Sequence, residues 1–297
     1  MINRTKNPRH VTKIVSGADT QDGAGVRLTR VLPTNGLSML DPFLLLDVFH
    51  SDNPNDYIAG FPPHPHRGFE TVTYLLAGRI HHRDSAGHNG VVSAGGVQWM
   101  TAGRGIEHSE MPEQEDGLLK GFQLWVNLPA AQKMAEPRYQ ELEPAEIPEE
   151  IRDNGIRVRV IAGKTVQGTR GAVSQIAADP IYFDVSLPAG ATYEEVIPSK
   201  HNTFVYLITG EIQVLDAEQR VSNISTGQLA VLQEGDGVRI ETHTESRFLL
   251  VAGRPMNEPV VRHGPFVMNS FEEIQQAYRD YNNGLFGHVG EAQDAVA

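Results

Sequence analysis

The chain has no cysteine among its 297 residues, so neither a disulfide framework nor thiolate chemistry is open to it. It has no long apolar run either. The longest, from Phe43 to Phe49, is interrupted by Asp47 and falls far short of a bilayer span. The opening residues, Met1-Ile2-Asn3-Arg4-Thr5-Lys6-Asn7-Pro8, lack the apolar stretch of a secretory signal, which predicts a cytoplasmic location. No cluster of Lys and Arg stands out, and 37 acidic residues outweigh 25 basic ones for a net charge of −12. Such a field repels phosphate backbones and anionic lipid surfaces, so direct nucleic-acid or membrane binding is not expected. Gly-x-Ser-x-Gly and His-Glu-x-x-His are missing, which argues against a serine hydrolase or a zincin. Gly103-Arg104-Gly105 lacks the third glycine of a dinucleotide loop and reads as a turn.

What is present is a chain of many short strands. Apolar content of 40% with 29 Gly and 18 Pro suits a well-cored protein with many tight turns. Runs such as Val72–Leu76, Arg157–Ile161 and Ile181–Leu187 are bounded by turn residues. The last alternates, with Ile181, Phe183, Val185 and Leu187 on one face, the period of a half-buried strand. This pattern predicts antiparallel sandwiches or barrels. Ser270 followed by Glu273 is a capping box, and Phe271, Ile274, Ala277, Tyr278 and Tyr281 share one helical face, so a C-terminal helix is expected.

An internal repeat sets the domain plan. Thr71–Ile80 resembles Thr203–Ile212 at an offset of 132, and Gly95, Gly103 and Gly105 fall on Gly227, Gly235 and Gly237 at that offset. Phe122–Val126 then matches Phe248–Ala252 after a deletion of about six residues. Shared turn glycines mean a shared strand-and-turn plan. Residues 136–150, with six Glu and three Pro, read as an extended, solvated connector. The expected organisation is therefore an N-terminal β-barrel over 1–135, a linker over 136–150, and a C-terminal β-barrel with its helix over 151–297.

The chemistry lies in the first repeat. His64-Pro65-His66 is followed by Glu70, and all three side chains have the same parity, which predicts one face of one strand. Forty-two residues after His66 comes His108-Ser109-Glu110, a second parity-matched pair. One His-x-His is commonly a hydrogen-bonded surface pair, but two such pairs flanking a Gly-rich hairpin point to a metal site. Imidazole with carboxylate suits a divalent transition metal and leaves positions for substrate or water. The repeat acts as a control: at offset 132 the five candidates become Val196, Pro198, Asn202, Ile240 and Thr242. Residues that only the fold requires should recur in both copies, and these do not. Spacing leaves open whether Glu70 or Glu110 completes the ligand set. Among the rest, His81, His82 and His88 fall in a polar hairpin and are expected to be solvated. Phe69, Trp99, Met100, Phe122 and Trp125 are expected in the barrel core, with one or two lining the cavity.

Gly60, His64-Pro65-His66, Glu70 and Gly78 resemble the first cupin motif, and Gly96 through Gly103 to His108 a loose version of the second, with Thr101 where proline is common. The fuller resemblance is to the pirin family. It rests on His64-Pro65-His66-Arg67-Gly68-Phe69-Glu70-Thr71-Val72-Thr73-Tyr74, Gln98–Ile106, Leu124–Leu128 and His263-Gly264-Pro265-Phe266-Val267-Met268-Asn269. The resemblance implies an all-β bicupin with one divalent metal ion in the N-terminal barrel, held by His64, His66, His108 and Glu110, with Glu70 nearby. The implied ion is Fe(II), and the donor set also admits Zn, Ni, Mn or Cu. The implied activity is a non-haem quercetin 2,3-dioxygenase-like ring opening of a polyphenol with dioxygen, with Glu110 or Glu70 as the base. A second implied role is a redox-sensing regulator that contacts a transcription factor or metabolic enzyme. A monomer is expected. Because a barrel interior is small, a bulky flavonol is expected to enter only if the His81–Gly90 hairpin moves.

Overall fold

The computed structural model describes residues 5–287, apart from Glu115, Asp153 and Glu234. Strands dominate, and one α-helix, Phe271–Asn282, follows them. Two sheets of seven strands and two of four build a pair of cupin barrels with the same strand plan. In the first, the large sheet runs Arg138–Leu142, Val97–Thr101, Phe69–Ala77, Leu119–Asn127, Phe43–Ser51, Val26–Leu32 and Ala18–Asp22. Its small sheet runs Phe61–His66, Ile106–Pro112, Arg79–Asp84 and Asn89–Ser93. In the second, Asn202–Thr209 takes the place of Phe69–Ala77, Gln228–Gln233 that of Val97–Thr101, and Ser246–Gly253 that of Leu119–Asn127. The repeat read from the glycine spacing is thus a repeat of topology.

The chain forms two compact units that are discontinuous in sequence. One takes residues up to 18, 30–44 and 145–255; the other takes 19–29, 45–144 and 256 onward. The reason lies in the sheet edges. The first strand, His10–Ser16, pairs antiparallel with Gln228–Gln233 and so completes the C-terminal barrel. In the acidic segment, Arg138–Leu142 pairs with Val97–Thr101 and Glu149–Ile151 pairs with Arg157–Ala162, so each end is extended and bonded to its own sheet. Such pairing covers strand edges that would otherwise present free N–H and C=O groups.

The interior of the C-terminal barrel is filled. Ile181, Phe183, Val185 and Leu187 all point into one apolar cluster with Val205, Leu207, Ile240, Phe248 and Leu250. The strand is covered on its other face as well, where Tyr182 is buried and the Asp184 carboxylate is held by Arg247 at 2.6 Å. The register refines the sequence alignment of the two copies. His108 pairs with His64 in the first barrel, and Ile240 pairs with Tyr193 in the second. The sheet positions of His64 and His66 therefore fall on Tyr193 and Glu195, not on Val196 and Pro198. Glu195 is no metal donor in this setting: Arg152 lies 2.6 Å from its carboxylate and the Tyr193 hydroxyl 3.2 Å.

The C-terminal helix starts as its capping box requires, with Ser270 accepting from the Glu273 amide and the Glu273 side chain accepting from the Ser270 amide. Ile274 and Ala277 are buried against Phe266, Met268 and Phe286, with Tyr278 and Tyr281 packed beside them. Phe271, at the first turn, is exposed instead. Among the described residues no helix is long and apolar enough to cross a membrane. Since Phe248 is fully buried in a packed cluster, Phe248→Ala should cost about 3–5 kcal/mol of unfolding free energy. Urea denaturation measures it, and a loss below about 1 kcal/mol would show a core able to collapse around the gap.

Candidate metal centre

The strand Phe61–His66 and the strand Ile106–Pro112 run antiparallel with His108 opposite His64 and Ile106 opposite His66. Because side chains alternate along a strand, His64 and His66 share a face, and the cross-strand neighbour His108 joins them. The ring centroids lie 4.4 Å apart for His64 and His108, 4.7 Å for His64 and His66, and 4.9 Å for His66 and His108. One ring nitrogen from each falls within 4.8 Å of the others.

The donor set fits a metal on three counts. The Nε2 atoms of His64 and His66 stand 3.1 Å apart, close to the ~3.0 Å that separates adjacent octahedral ligands at ~2.1 Å from a common ion. The Nε2 of His108 is buried without a hydrogen-bond partner. The rear nitrogens are each held from behind: His64 Nδ1 lies 2.8 Å from the Pro62 carbonyl, His66 Nδ1 3.4 Å from the Pro265 carbonyl, and His108 Nδ1 3.4 Å from His82 Nδ1. Such backing fixes ring orientation and turns the other lone pair toward the ion. Burial, and then the neighbouring His64, hold the His66 and His108 imidazoles well below the ordinary histidine range. They are therefore neutral at pH 7, the form that ligates.

Glu110 is two residues beyond His108, after a register shift that sets it opposite Phe61. Its buried carboxylate is held by Thr73 Oγ1 at 3.0 Å and by Gln123 Nε2 at 2.9 Å. A cavity of about 630 Å3 opens over these groups, lined by His64, His66, Glu110, Gln123, Trp125 and Phe49 among others. This volume lies in the range that holds drug-sized ligands. Its rim is formed by exposed residues, including Asp22–Ala24, Pro62, Pro63 and Arg262. No residue of the 81–90 hairpin lines it, so the expected hairpin gate is not where the cavity opens.

Two family models match the chain, Pirin over residues 25–126 and the Pirin C-terminal cupin domain over 182–287. The chain belongs to the pirin family. A pirin-like protein of Caulobacter vibrioides is 52% identical over 279 residues, 94% of this chain and 99% of that one. Human pirin is 44% identical over 94% of each chain. Among solved structures, a quercetin 2,3-dioxygenase from Acinetobacter baumannii superposes with a TM-score of 0.85 at 33% identity, covering 95% of this chain and all of that one.

In this pirin fold Glu70 does not join the histidines. The chain turns at Gly68, which has φ +88°, so the strand carrying the histidines ends at His66 and Glu70 begins a different one, Phe69–Ala77. Parity counted through residues 64–70 therefore misleads. Glu70 sits opposite Thr101, accepts its hydroxyl at 2.7 Å, and does not line the cavity. Burial pushes its carboxyl up to about 7, against the pull of Thr101.

His82 was expected in solvent and is instead fully buried behind His108, with ring centroids 5.1 Å apart. The signal was available: Ile80, His82 and Asp84 alternate along Arg79–Asp84, and all three are buried. His81 is half-buried and bonded to Asn89, and His88 is exposed. Of the residues expected in the barrel core, Phe69, Trp99, Met100 and Phe122 are buried and Trp125 lines the cavity, where Arg262 stacks over its ring at 4.5 Å.

The His263–Asn269 motif explains itself here. Pro265 backs His66, and the Val267 amide donates to the Arg67 carbonyl at 3.1 Å. Lys133, buried, binds the carbonyls of Gly68 and Val267 and the Asn127 side chain at 2.7–3.0 Å. Arg67 reaches Asp280 of the helix at 2.7 Å. The C-terminal segment is thus part of the wall behind the histidines.

The raised Glu70 carboxyl has a measurable consequence. Its folded pKa of about 7 exceeds its ordinary 4.5, so its contribution to stability is full below 4.5 and is lost as pH rises through 7. Glu70→Gln keeps an acceptor for Thr101 and removes the titration. The variant's stability relative to the parent should rise by about 3 kcal/mol between pH 4.5 and pH 8.5, read by urea unfolding at both. A difference that stays flat across this range would place the Glu70 carboxyl in an environment that does not penalise its charge.

Proposed function

We propose that this pirin is a metal-dependent dioxygenase, with Fe(II) as the working ion, that opens flavonol-like substrates such as quercetin. His64, His66 and His108 with Glu110 are the proposed ligands. The observation that carries the reading is the cluster of three converging imidazoles, with His64, His66 and the Glu110 carboxylate on the wall of a cavity large enough for a polyphenol. The likeness to the Acinetobacter quercetin 2,3-dioxygenase structure supports it.

When bound, the ion supplies a Lewis acid for a substrate hydroxyl and a redox centre for dioxygen. The chain supplies the rest. Phe49, Phe61 and Trp125 offer flat apolar walls against which a planar aromatic substrate can stack and from which water is excluded. Glu110 is the group placed to take the proton of a substrate hydroxyl, because it is the candidate carboxylate that lines the cavity beside the histidines. Thr73 and Gln123 aim it, so proton acceptance needs no rearrangement of the carboxylate. Glu70, hydrogen-bonded to Thr101 and outside the cavity lining, is not given this role.

Oxygen uptake tests the reading directly. Protein loaded anaerobically with Fe(II) should consume dioxygen when quercetin is added. His64→Ala and metal-free protein should fall to background, a loss of at least ~100-fold. Uptake that persists in His64→Ala sinks the metal-centred mechanism. Silence of the iron-loaded, folded protein with quercetin and related polyphenols would instead favour a regulator that acts by protein contact.

A further inference from the structure

His82 and Tyr139 lie outside the proposed ligand set and outside the substrate cavity, yet they form a continuous polar path from the back of His108. His108 Nδ1 is 3.4 Å from His82 Nδ1, at the long end of hydrogen bonding. His82 Nε2 is 3.0 Å from the Tyr139 hydroxyl, and that hydroxyl lies 2.9 Å from Met100 Sδ. Both nitrogens of His82 are thus engaged, in a side chain with no exposure to water. Tyr139 comes from Arg138–Leu142, the edge strand opposite Met100, so the path crosses from the small sheet to the large one.

A neutral imidazole has one N–H and one lone pair, so the direction of each link constrains the next. If Tyr139 donated to His82 Nε2, then His82 would donate from Nδ1 and His108 would accept at Nδ1. His108 would then carry its proton on Nε2, the atom that faces His64 and His66, and could not ligate. In the opposite direction His108 donates from Nδ1 to His82, His82 donates from Nε2 to Tyr139, and the Tyr139 hydroxyl donates to Met100. That order leaves the His108 Nε2 lone pair directed into the site. Met100 sulfur and the buried Asp84 carboxylate, whose Oδ2 lies 3.9 Å from His82 Nε2 and which also faces the Tyr139 hydroxyl, select the second direction: both accept, so they draw the Tyr139 and His82 hydrogens toward this end of the chain.

We propose that His82 and Tyr139 are positioning residues: a one-way hydrogen-bond chain from His108 through His82 and Tyr139 to Met100 that keeps His108 in its metal-binding tautomer. This rests on the metal-centre reading but not on dioxygenase activity, since the readout is the affinity of the full chain for Zn(II) alone. Outer partners of this kind set metal affinity by about 10–100-fold. Zn(II) competition against a chromophoric chelator should therefore show affinity reduced about 10–100-fold in His82→Leu. In His82→Gln, whose amide oxygen can accept from His108 Nδ1, most of that loss should be recovered. Tyr139→Phe should weaken binding by a smaller factor, with thermal unfolding of the metal-free protein close to the parent.

Nitrogen NMR of the zinc-loaded parent gives a measurement that no folding defect can obscure. His82 should be the Nε2–H tautomer and His108 the Nδ1–H tautomer. Either one in the reverse form overturns the proposal, as does a folded His82→Leu within twofold of parental zinc affinity. Parental protein that binds no zinc would remove the metal-centre reading and this inference together. Failed oxygen uptake with tight zinc binding would remove only the enzyme.

Discussion

Imidazoles packed against one another inside a protein are tolerable only while the buried ones stay neutral. Protonating His66 or His108 would bury a cation among the neighbouring rings, and burial holds both well below the ordinary histidine range. Neutrality, however, leaves each ring with a lone pair and an N–H that must be assigned, and most of the local structure can be read as settling that assignment. The Pro62 carbonyl, the Pro265 carbonyl and His82 stand behind the three rings. The first two are pure acceptors, so they demand a proton on Nδ1 and leave Nε2 free. Three converging lone pairs of this kind suit a cation.

That requirement reaches a long way along the chain. Pro62 is local to its histidine, but Pro265 arrives from the last forty residues of the sequence, held in place by Lys133, by the Arg67–Val267 backbone bond and by the helix through Asp280. The buried Lys133 amine is pushed down to about 8 by desolvation, softened by the acidic Glu258 and Glu273. Three oxygen acceptors at 2.7–3.0 Å compensate for its burial. The helix and the segment before it belong to the N-terminal barrel in space although they follow the C-terminal barrel in sequence.

Much of this was legible beforehand. The repeat, the two barrels, the helix with its capping box and the two His-containing pairs all follow from glycine spacing and side-chain alternation, both of which are local. Four things were not. Glu70 was grouped with the histidines by parity, but parity holds only while the strand does, and Gly68 breaks it. His82 was assigned to solvent because its hairpin is polar on average, although the alternation of Ile80, His82 and Asp84 is the better guide to which side chains turn inward. The discontinuity of the two units depends on which edges remain to be paired, and no local pattern carries that information. The alignment of the copies was right at the glycines and wrong by register at the histidine strand, where Tyr193 and Glu195 take the places of His64 and His66.

The second barrel shows what becomes of the same architecture when the metal demand is gone. Ile240 stands where His108 stands, and Tyr193 packs against Phe248 with ring centroids 5.6 Å apart. The remaining carboxylate, Glu195, is neutralised by Arg152, which also lies over the Tyr193 ring at 4.7 Å. The Tyr193 hydroxyl and Arg152 both bond Glu195, and the space is closed by apolar side chains. In the first barrel the corresponding space is kept open, its His108 Nε2 is left without a partner, and its carboxylate Glu110 is held by neutral Thr73 and Gln123. Stability alone favours the filled interior of the second barrel, since an orphaned buried nitrogen and a buried carboxylate bonded only by neutral groups both cost free energy. The same fold thus carries both solutions, and the costlier one belongs to the barrel whose histidine cluster could hold a metal ion.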